Sequence, residues 1–261
     1  MTYHLDFTRG PLIGAHRGAS AEAPENTMAA FIRAVEVKAD MIELDVQMSK
    51  DGELVVFHDH DVKRTTNGSG YVKDLTVKEL LNLDAGRWFS DQFAGEKIPL
   101  LEEVLVWAKD RIPLSIEIKP IPSWNQPIEE RLVELLVRKD MVKQVQVMSF
   151  DHQAVYKVKC MNSEVMTSII SASRMWNPIG YAKRVGATIL NQPWYFLTPE
   201  FIEQAHDEGL LISGSLIDDP DIWKEVHAWG IDLVDTNYPE RLLAVTKKRV
   251  DLDHFQGEEQ Q

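Results

Sequence analysis

Apolar runs a few residues long recur along the chain, and the segments between them carry helical spacing. A short continuous apolar run reads as a strand buried on both faces. Eight such runs are predicted, at residues 12–15, 41–47, 114–118, 144–148, 165–170, 188–190, 210–213 and 233–236. Between them lie amphipathic patterns such as "PIEERLVELLVRKD", "PEFIEQAHDEG" and "PDIWKEVHAWG", several ending in glycine, a common helix stop. Eight strands separated by helices define an α/β chain of the (β/α)8 TIM-barrel type. An open doubly wound sheet is the fallback, but the first βα turn lacks a glycine-rich dinucleotide loop.

One segment breaks the alternation. "IELDVQMSKDGELVVFHDHD" places a second strand, residues 53–58, directly after the first. Parallel strands need a crossover of about a dozen residues, so this extra strand is an antiparallel hairpin partner. Asp51-Gly52 reads as a two-residue hairpin turn, which pairs Lys50 with Glu53 and sets Asp45 opposite His58. Opposed residues share a sheet face, and the period of two adds Glu43 to that face. Residues 60–99 follow as an insertion with its own short helix, expected to form a small cap over the barrel mouth. Its Asn67-Gly68-Ser69-Gly70 lacks the Gly-Lys-Ser/Thr ending of a nucleotide loop and reads as a turn.

Composition narrows the classes. The chain has 261 residues, 44% of them hydrophobic, which suits one barrel domain over residues 1–248 and an acidic, flexible tail over 249–261. A net charge of -13 argues against nucleic acid or an anionic membrane as partner. The single cysteine, Cys160, excludes an internal disulfide and fits a reducing compartment. The N-terminus shows no export signal and no run is long enough to span a membrane, so a cytoplasmic location is expected. A homo-oligomer is compatible with the chain.

The candidate chemistry sits at strand ends. His16-Arg17 follows the first strand, where a βα loop begins and where barrel enzymes collect their functional groups. "LSIEIKP" puts Glu117 and Lys119 on one face of a strand whose inward positions are normally aliphatic. Burying such charges is costly, so they need each other, as a structural bridge, or a ligand. With Glu43 and Asp45, Glu117 makes three carboxylates at one end of neighbouring strands, a donor set that suits Mg²⁺ or Ca²⁺.

"HRG", "PENT", "ELDVQMSKDGELVVFHD", "RTTNGSG", "IPLLEEVL" and "SIEIK" occur in this order, and together they resemble the signature series of the glycerophosphodiester phosphodiesterase family. The resemblance covers about residues 11–245. It implies a (β/α)8 barrel that hydrolyses glycerophosphodiesters to sn-glycerol 3-phosphate and an alcohol with a divalent cation. Carried over, it makes His16 and His58 the acid–base pair and Glu43, Asp45 and Glu117 the metal ligands. Arg17 and Lys119 would neutralise phosphate oxygens, while Glu25 and Asn26 cap the following helix and brace the site. Aromatic residues at loop positions (Trp124, Trp194, Phe196, Tyr238) and in the cap (Trp88, Phe89) are candidates to line a glycerol or head-group pocket, with Trp194 the chosen substrate contact.

Two positions depart from the family pattern. Where the family often reads Trp-Thr-Val-Asn on its penultimate strand, this chain has Ser215-Leu216-Ile217-Asp218, and the Asp often found after the last strand is Asn237. Both border the expected pocket on its alcohol side. The competing readings are a lysophospholipase D, which would want an exposed apolar rim or an anchoring helix, and a non-catalytic phosphodiester binder, which would dispense with part of the His and carboxylate set.

Overall fold

A computed structural model describes residues 5–246. Eight parallel strands close into a barrel: β1 (Leu12–Ala15), β2 (Met41–Met48), β4 (Leu114–Ile118), β5 (Val145–Ser149), β6 (Met166–Ile170), β7 (Ile189–Pro193), β8 (Leu211–Ser215) and β9 (Leu233–Thr236). Closure is made by β1, which pairs with β9 along its length and with β2 at Gly14 and Ala15. The ninth strand, β3 (Leu54–Val56), lies antiparallel on the C-terminal half of β2. The predicted acidic tail at 249–261 and the last two residues of the predicted domain lie outside the described residues.

Helices α1 (Met28–Glu36), α3 (Leu101–Ala108), α4 (Ile128–Lys139), α5 (His152–Met161), α6 (Pro178–Val185), α7 (Pro199–Asp207) and α8 (Pro220–Ala228) cover the barrel. Their starts follow ordinary capping chemistry. Thr27, rather than Glu25 or Asn26, caps α1, and the Asp219 side chain accepts from two N–H groups opening α8. No helix among the described residues is long and apolar enough to cross a membrane.

The strands are buried on both faces, but the two faces differ in kind. Ile42, Leu44 and Val46 of β2 and Leu114, Ile116 and Ile118 of β4 join Phe31, Leu101 and Leu105 in one apolar cluster under the helices. The alternate positions turn inward and are polar: Glu43, Asp45, Ser115, Glu117, Gln146, Ser168, Asn191, Ser213 and Asp235 are all buried. A barrel interior is ordinarily filled by branched aliphatic residues. Here the outward face supplies the hydrophobic core and the inward face is left free for chemistry.

The hairpin closes one residue away from the predicted register. Ser49 and Glu53 are the closing pair, with Ser49 N–H donating to the Glu53 carbonyl at 2.9 Å. The loop is therefore three residues, Lys50 to Gly52, with Gly52 at φ +85°, a conformation that favours glycine. Val46 then faces Val56, and Phe57, not His58, donates to the Asp45 carbonyl, at 2.9 Å. His58 still reaches the barrel mouth because the strand ends at Val56 and the chain bends. The Gln47 amide fixes that bend by donating to the carbonyls of Phe57, His58 and Asp59 at 3.0, 3.1 and 2.6 Å. Residues 60–99 add the short α2 (Val77–Asn82) and pack Val62, Val72, Leu80 and Ile98 against Val55 and Phe57. Asn67 accepts from the Asp84 N–H at 2.9 Å, as an ordinary turn residue does.

Candidate active site

The first strand ends in a tight turn that requires glycine at position 18. Arg17 has φ +57° and Gly18 φ +82°, and a Cβ at Gly18 would lie 2.7 Å from the Ala30 carbonyl carbon of α1. This tight passage aims the Arg17 N–H at Glu43 Oε2, 2.8 Å away. It also brings His16 Nε2 to 4.0 Å from the same oxygen.

Each histidine is oriented through its other nitrogen. Asn237 donates its backbone N–H and its side-chain amide to the two oxygens of Asp218, at 2.8 and 2.7 Å. Its Oδ1 is thereby turned to accept from His16 Nδ1 at 2.8 Å and from the Ser20 hydroxyl at 2.9 Å. His58 Nδ1 donates to Asp59 Oδ1 at 2.6 Å. Asp59 is gripped by Arg64 through Nε and Nη2, at 2.6 and 3.0 Å, and those bonds hold it well below the usual carboxylate range. Both rings therefore carry a proton on Nδ1 and leave Nε2 as a lone pair. Burial lowers the pKa of both. The neighbouring Arg17 charge adds to this at His16, and Lys119 at His58, where the Asp45 carboxylate opposes it.

Between the rings lies the acidic centre. Asp45 and Glu117 are cross-strand partners, and Glu43 is two residues before Asp45 on the same face. One oxygen from each of Glu43, Asp45 and Glu117 lies within 4.8 Å of the others. Burial, then repulsion by Asp45, Asp235 and Glu117, drives the Glu43 carboxyl well above its ordinary range. The same two effects, burial and then Asp45, push Glu117 up to about 7. Burial also opposes ionisation of Asp45, but Lys119 and Arg17 outweigh it and hold this carboxylate down. Lys119 Nζ spans Glu117 Oε1 at 2.6 Å and Asp45 Oδ1 at 3.1 Å, so it is more than a bridge to Glu117. Arg17 reaches Asp45 at 3.3 Å and Glu25 at 2.8 Å, and Asn26 donates to Asp45 at 2.8 Å.

A dication fits this donor set. The three groups are hard oxygen donors, burial and then mutual repulsion raise two of the pKa values, and Asp45 Oδ1 is buried without an aligned hydrogen bond. His16, Arg17, Glu43, His58, Glu117 and Lys119 line one cavity of about 400 Å³, which opens at the C-terminal ends of the strands.

Of the predicted site residues, seven gather here: the two histidines, the two cations and the three carboxylates. Trp194 does not line the cavity; it packs against the apolar cluster of the C-terminal half, and Tyr195 lines the wall instead. Residues 194–196 form a 3-10 turn, in which successive side chains rotate by about 120°, so a loop position alone does not tell which of three adjacent aromatics faces the cavity. The other predicted aromatics also lie elsewhere. Trp124 packs edge-on to His60 and Tyr71, Trp88 packs on Phe89, Tyr238 sits under Arg241, and Phe196 belongs to a separate cavity. Phe150, Asp235, Asp59, Arg64 and Gln47 went unpredicted. Asp59 has a visible signal in its place directly after His58, whereas Asp235 is hidden in an otherwise ordinary strand.

A closed barrel with two oriented histidines, a carboxylate triad and two cations at its mouth defines a (β/α)8 protein equipped for acid–base chemistry on an anion. Comparisons narrow the class. Residues 16–241 match the model of the glycerophosphoryl diester phosphodiesterase family. A glycerophosphodiester phosphodiesterase of Caldanaerobacter subterraneus is 40% identical over 240 residues, covering 91% of this chain and 98% of that relative. The glycerophosphodiester phosphodiesterase of Agrobacterium tumefaciens superposes with a TM-score of 0.80 at 31% identity, over 90% of this chain and 99% of that one. A phosphodiesterase of Oleispira antarctica, solved with its product sn-glycerol-3-phosphate, gives a TM-score of 0.84 at 25% identity, over 92% and 98% of the two chains. The chain belongs to the glycerophosphoryl diester phosphodiesterase family.

Proposed function

We propose that this protein hydrolyses glycerophosphodiesters to sn-glycerol 3-phosphate and an alcohol, with a divalent cation and with His16 and His58 as the acid–base pair. The observation that carries this reading is the shared geometry of the two rings. Each has Nδ1 tied to a fixed acceptor, and each leaves Nε2 free beside the carboxylate centre.

Glu43, Asp45 and Glu117 would hold Mg²⁺ or Ca²⁺, which when bound offsets charge on the phosphodiester. Arg17 and Lys119 stand beside the same carboxylates and are placed to take phosphate oxygens, the guanidinium by a two-point grip. Both rings are neutral at pH 7, so one can accept the proton of the attacking hydroxyl at Nε2. The negative charge of a bound phosphodiester raises the pKa of the other, which then delivers a proton to the departing alcohol. Asn237 and Asp59 keep the rings in the tautomer that both steps need.

Incubation with glycerophosphocholine and enzymatic detection of glycerol 3-phosphate tests the reading. His16→Ala and His58→Ala are each expected to lower kcat by at least ~10²-fold with the fold retained. Full turnover by either variant would remove that histidine from the chemistry.

A further inference from the structure

Arg64 does not line the catalytic cavity, yet its guanidinium joins two of the loops that build it. Its Nε donates to Asp59 Oδ2 at 2.6 Å and its Nη2 to Asp59 Oδ1 at 3.0 Å, on the loop that carries His58. The adjacent edge meets Glu25 on the loop after β1, with Nη1 donating to Oε2 at 2.8 Å and Nη2 to Oε1 at 2.7 Å. One planar group thus grips two carboxylates, each through both oxygens. An isolated surface ion pair is worth little, but bidentate grips joined in a network hold geometry. The Arg64 side chain is 46% exposed, whereas that of Glu25 is only 13% exposed. Burial opposes ionisation of Glu25, but Arg64 and then Arg17 outweigh it and hold its carboxyl below the ordinary value.

Each carboxylate passes the grip on to a group at the site. Asp59 Oδ1, which takes Arg64 Nη2, also accepts from His58 Nδ1 at 2.6 Å. Glu25 Oε1, which takes Arg64 Nη2 as well, also accepts from Arg17 Nη1 at 2.8 Å. Among the described residues, that is the one aligned hydrogen bond of the Arg17 guanidinium; its Nε, although 3.3 Å from Asp45, is buried without one. Glu25 therefore sets the plane in which Arg17 would meet phosphate, and Asp59 sets the His58 ring. Both are fixed by the same guanidinium, which stands 39 residues from Glu25 in the chain.

We propose that Arg64 is a positioning residue for both halves of the reaction. Through Asp59 it holds His58 for proton transfer, and through Glu25 it holds Arg17 for the phosphate. The proposal rests on the phosphodiesterase reading above and deepens it. It requires the fork of a guanidinium: an ammonium is a point charge and cannot meet four oxygens along two edges.

The test is steady-state kinetics on glycerophosphocholine at saturating metal, with a melting curve for each variant. Arg64→Ala should lower kcat by roughly 10- to 100-fold, as displacement of a reacting group does, and raise KM severalfold. Asp59→Ala should reproduce the loss in kcat with little change in KM, and Glu25→Ala chiefly the rise in KM. Groups that act along one path are not additive. In Asp59→Ala/Arg64→Ala, kcat should therefore be no lower than in the worse single variant, and KM in Glu25→Ala/Arg64→Ala no higher. Arg64→Lys should keep most of the loss, and it carries the same cycles if Arg64→Ala does not fold. A purely structural role would lower the melting temperature and leave KM unmoved. Wild-type kcat and KM in Arg64→Ala or Arg64→Lys, or losses that multiply in the double variants, would overturn this proposal and leave the phosphodiesterase reading standing. No turnover of any glycerophosphodiester by the unaltered protein, in the presence of Mg²⁺ or Ca²⁺, would overturn that reading and this proposal with it.

Discussion

Replacing Asn237 with alanine removes one acceptor and leaves both histidines in place. In the protein, Asn237 Oδ1 receives the His16 Nδ1 proton at 2.8 Å and the Ser20 hydroxyl at 2.9 Å. Without it, the His16 ring loses the bond that places its proton, and a half-buried N–H is left unpaired. Loss of such a bond costs about 1–3 kcal/mol, which corresponds to about 5- to 150-fold in rate if felt only in the transition state. Asn237 is not part of the cavity wall, so KM for glycerophosphocholine should change little while kcat falls. Steady-state kinetics at saturating metal, with a melting curve of the same preparation, gives both quantities. Asn237→Asp alone would set two carboxylates at the 2.7 Å contact with Asp218, where both cannot ionise. Combining it with Asp218→Asn restores one acid and one amide, and should recover most of kcat. Wild-type kcat in Asn237→Ala, or a double variant no better than Asn237→Asp, would refute the idea that Asp218 and Asn237 set the His16 tautomer.

Two further outcomes follow from the buried acids. Chelation should abolish activity, and Mg²⁺ or Ca²⁺ should restore it. Burial and then repulsion by neighbouring carboxylates push Glu117 up to about 7 and Glu43 well above its ordinary range in the metal-free site, so binding displaces protons and calorimetric affinity should tighten from pH 6 to 8; a pH-independent affinity would sink the assignment. Asp235 is wholly buried, its Oδ1 has no hydrogen bond, and burial raises its pKa from 3.8 to about 7. The native state keeps that proton in a window where the unfolded chain has lost it. Its contribution to stability is therefore fully present below about pH 3.8 and lost as pH rises to about 7, on the order of 4 kcal/mol. Asp235→Asn should flatten this slope in denaturant titrations at pH 4.5 and pH 8 run in chelator; an unchanged slope would contradict the assignment.

The barrel was legible because its strands are buried on both faces, which concentrates apolar residues into runs separated by amphipathic helices. The site was legible through violations of the same rule. Glu43 and Asp45 in "MIELDVQM" and Glu117 in "LSIEI" interrupt the inward positions where a barrel needs aliphatic side chains, so the cost of burying them points to a ligand. What failed was local backbone geometry. A three-residue hairpin loop in place of a two-residue one moved the register, and a 3-10 turn exchanged Trp194 for Tyr195 on the cavity wall. Both differences lie at the ends of strands, where the backbone leaves extended geometry.

The orienting partners of the histidines show a different limit. Asp59 is adjacent to His58, whereas Asn237 is 221 residues from His16 and meets it only because β9 pairs with β1 to close the barrel. Composition near His16 could not reveal that contact. Taken one at a time, Asp218 and Asn237 looked like losses at the alcohol side of the pocket. In the fold they are one hydrogen-bonded unit, a carboxylate holding an amide by two bonds. The family resemblance implies Asn and Asp at these positions, the same two groups in exchanged order. The exchange keeps a donor–acceptor pair but replaces a charged acceptor by a neutral one at the His16 ring, removing a pull on its pKa that a carboxylate would exert. If His16 serves as the proposed base beside three carboxylates, that arrangement favours its neutral form. On the proposed reading, the departure at Asp218 and Asn237 therefore belongs to the orientation of His16.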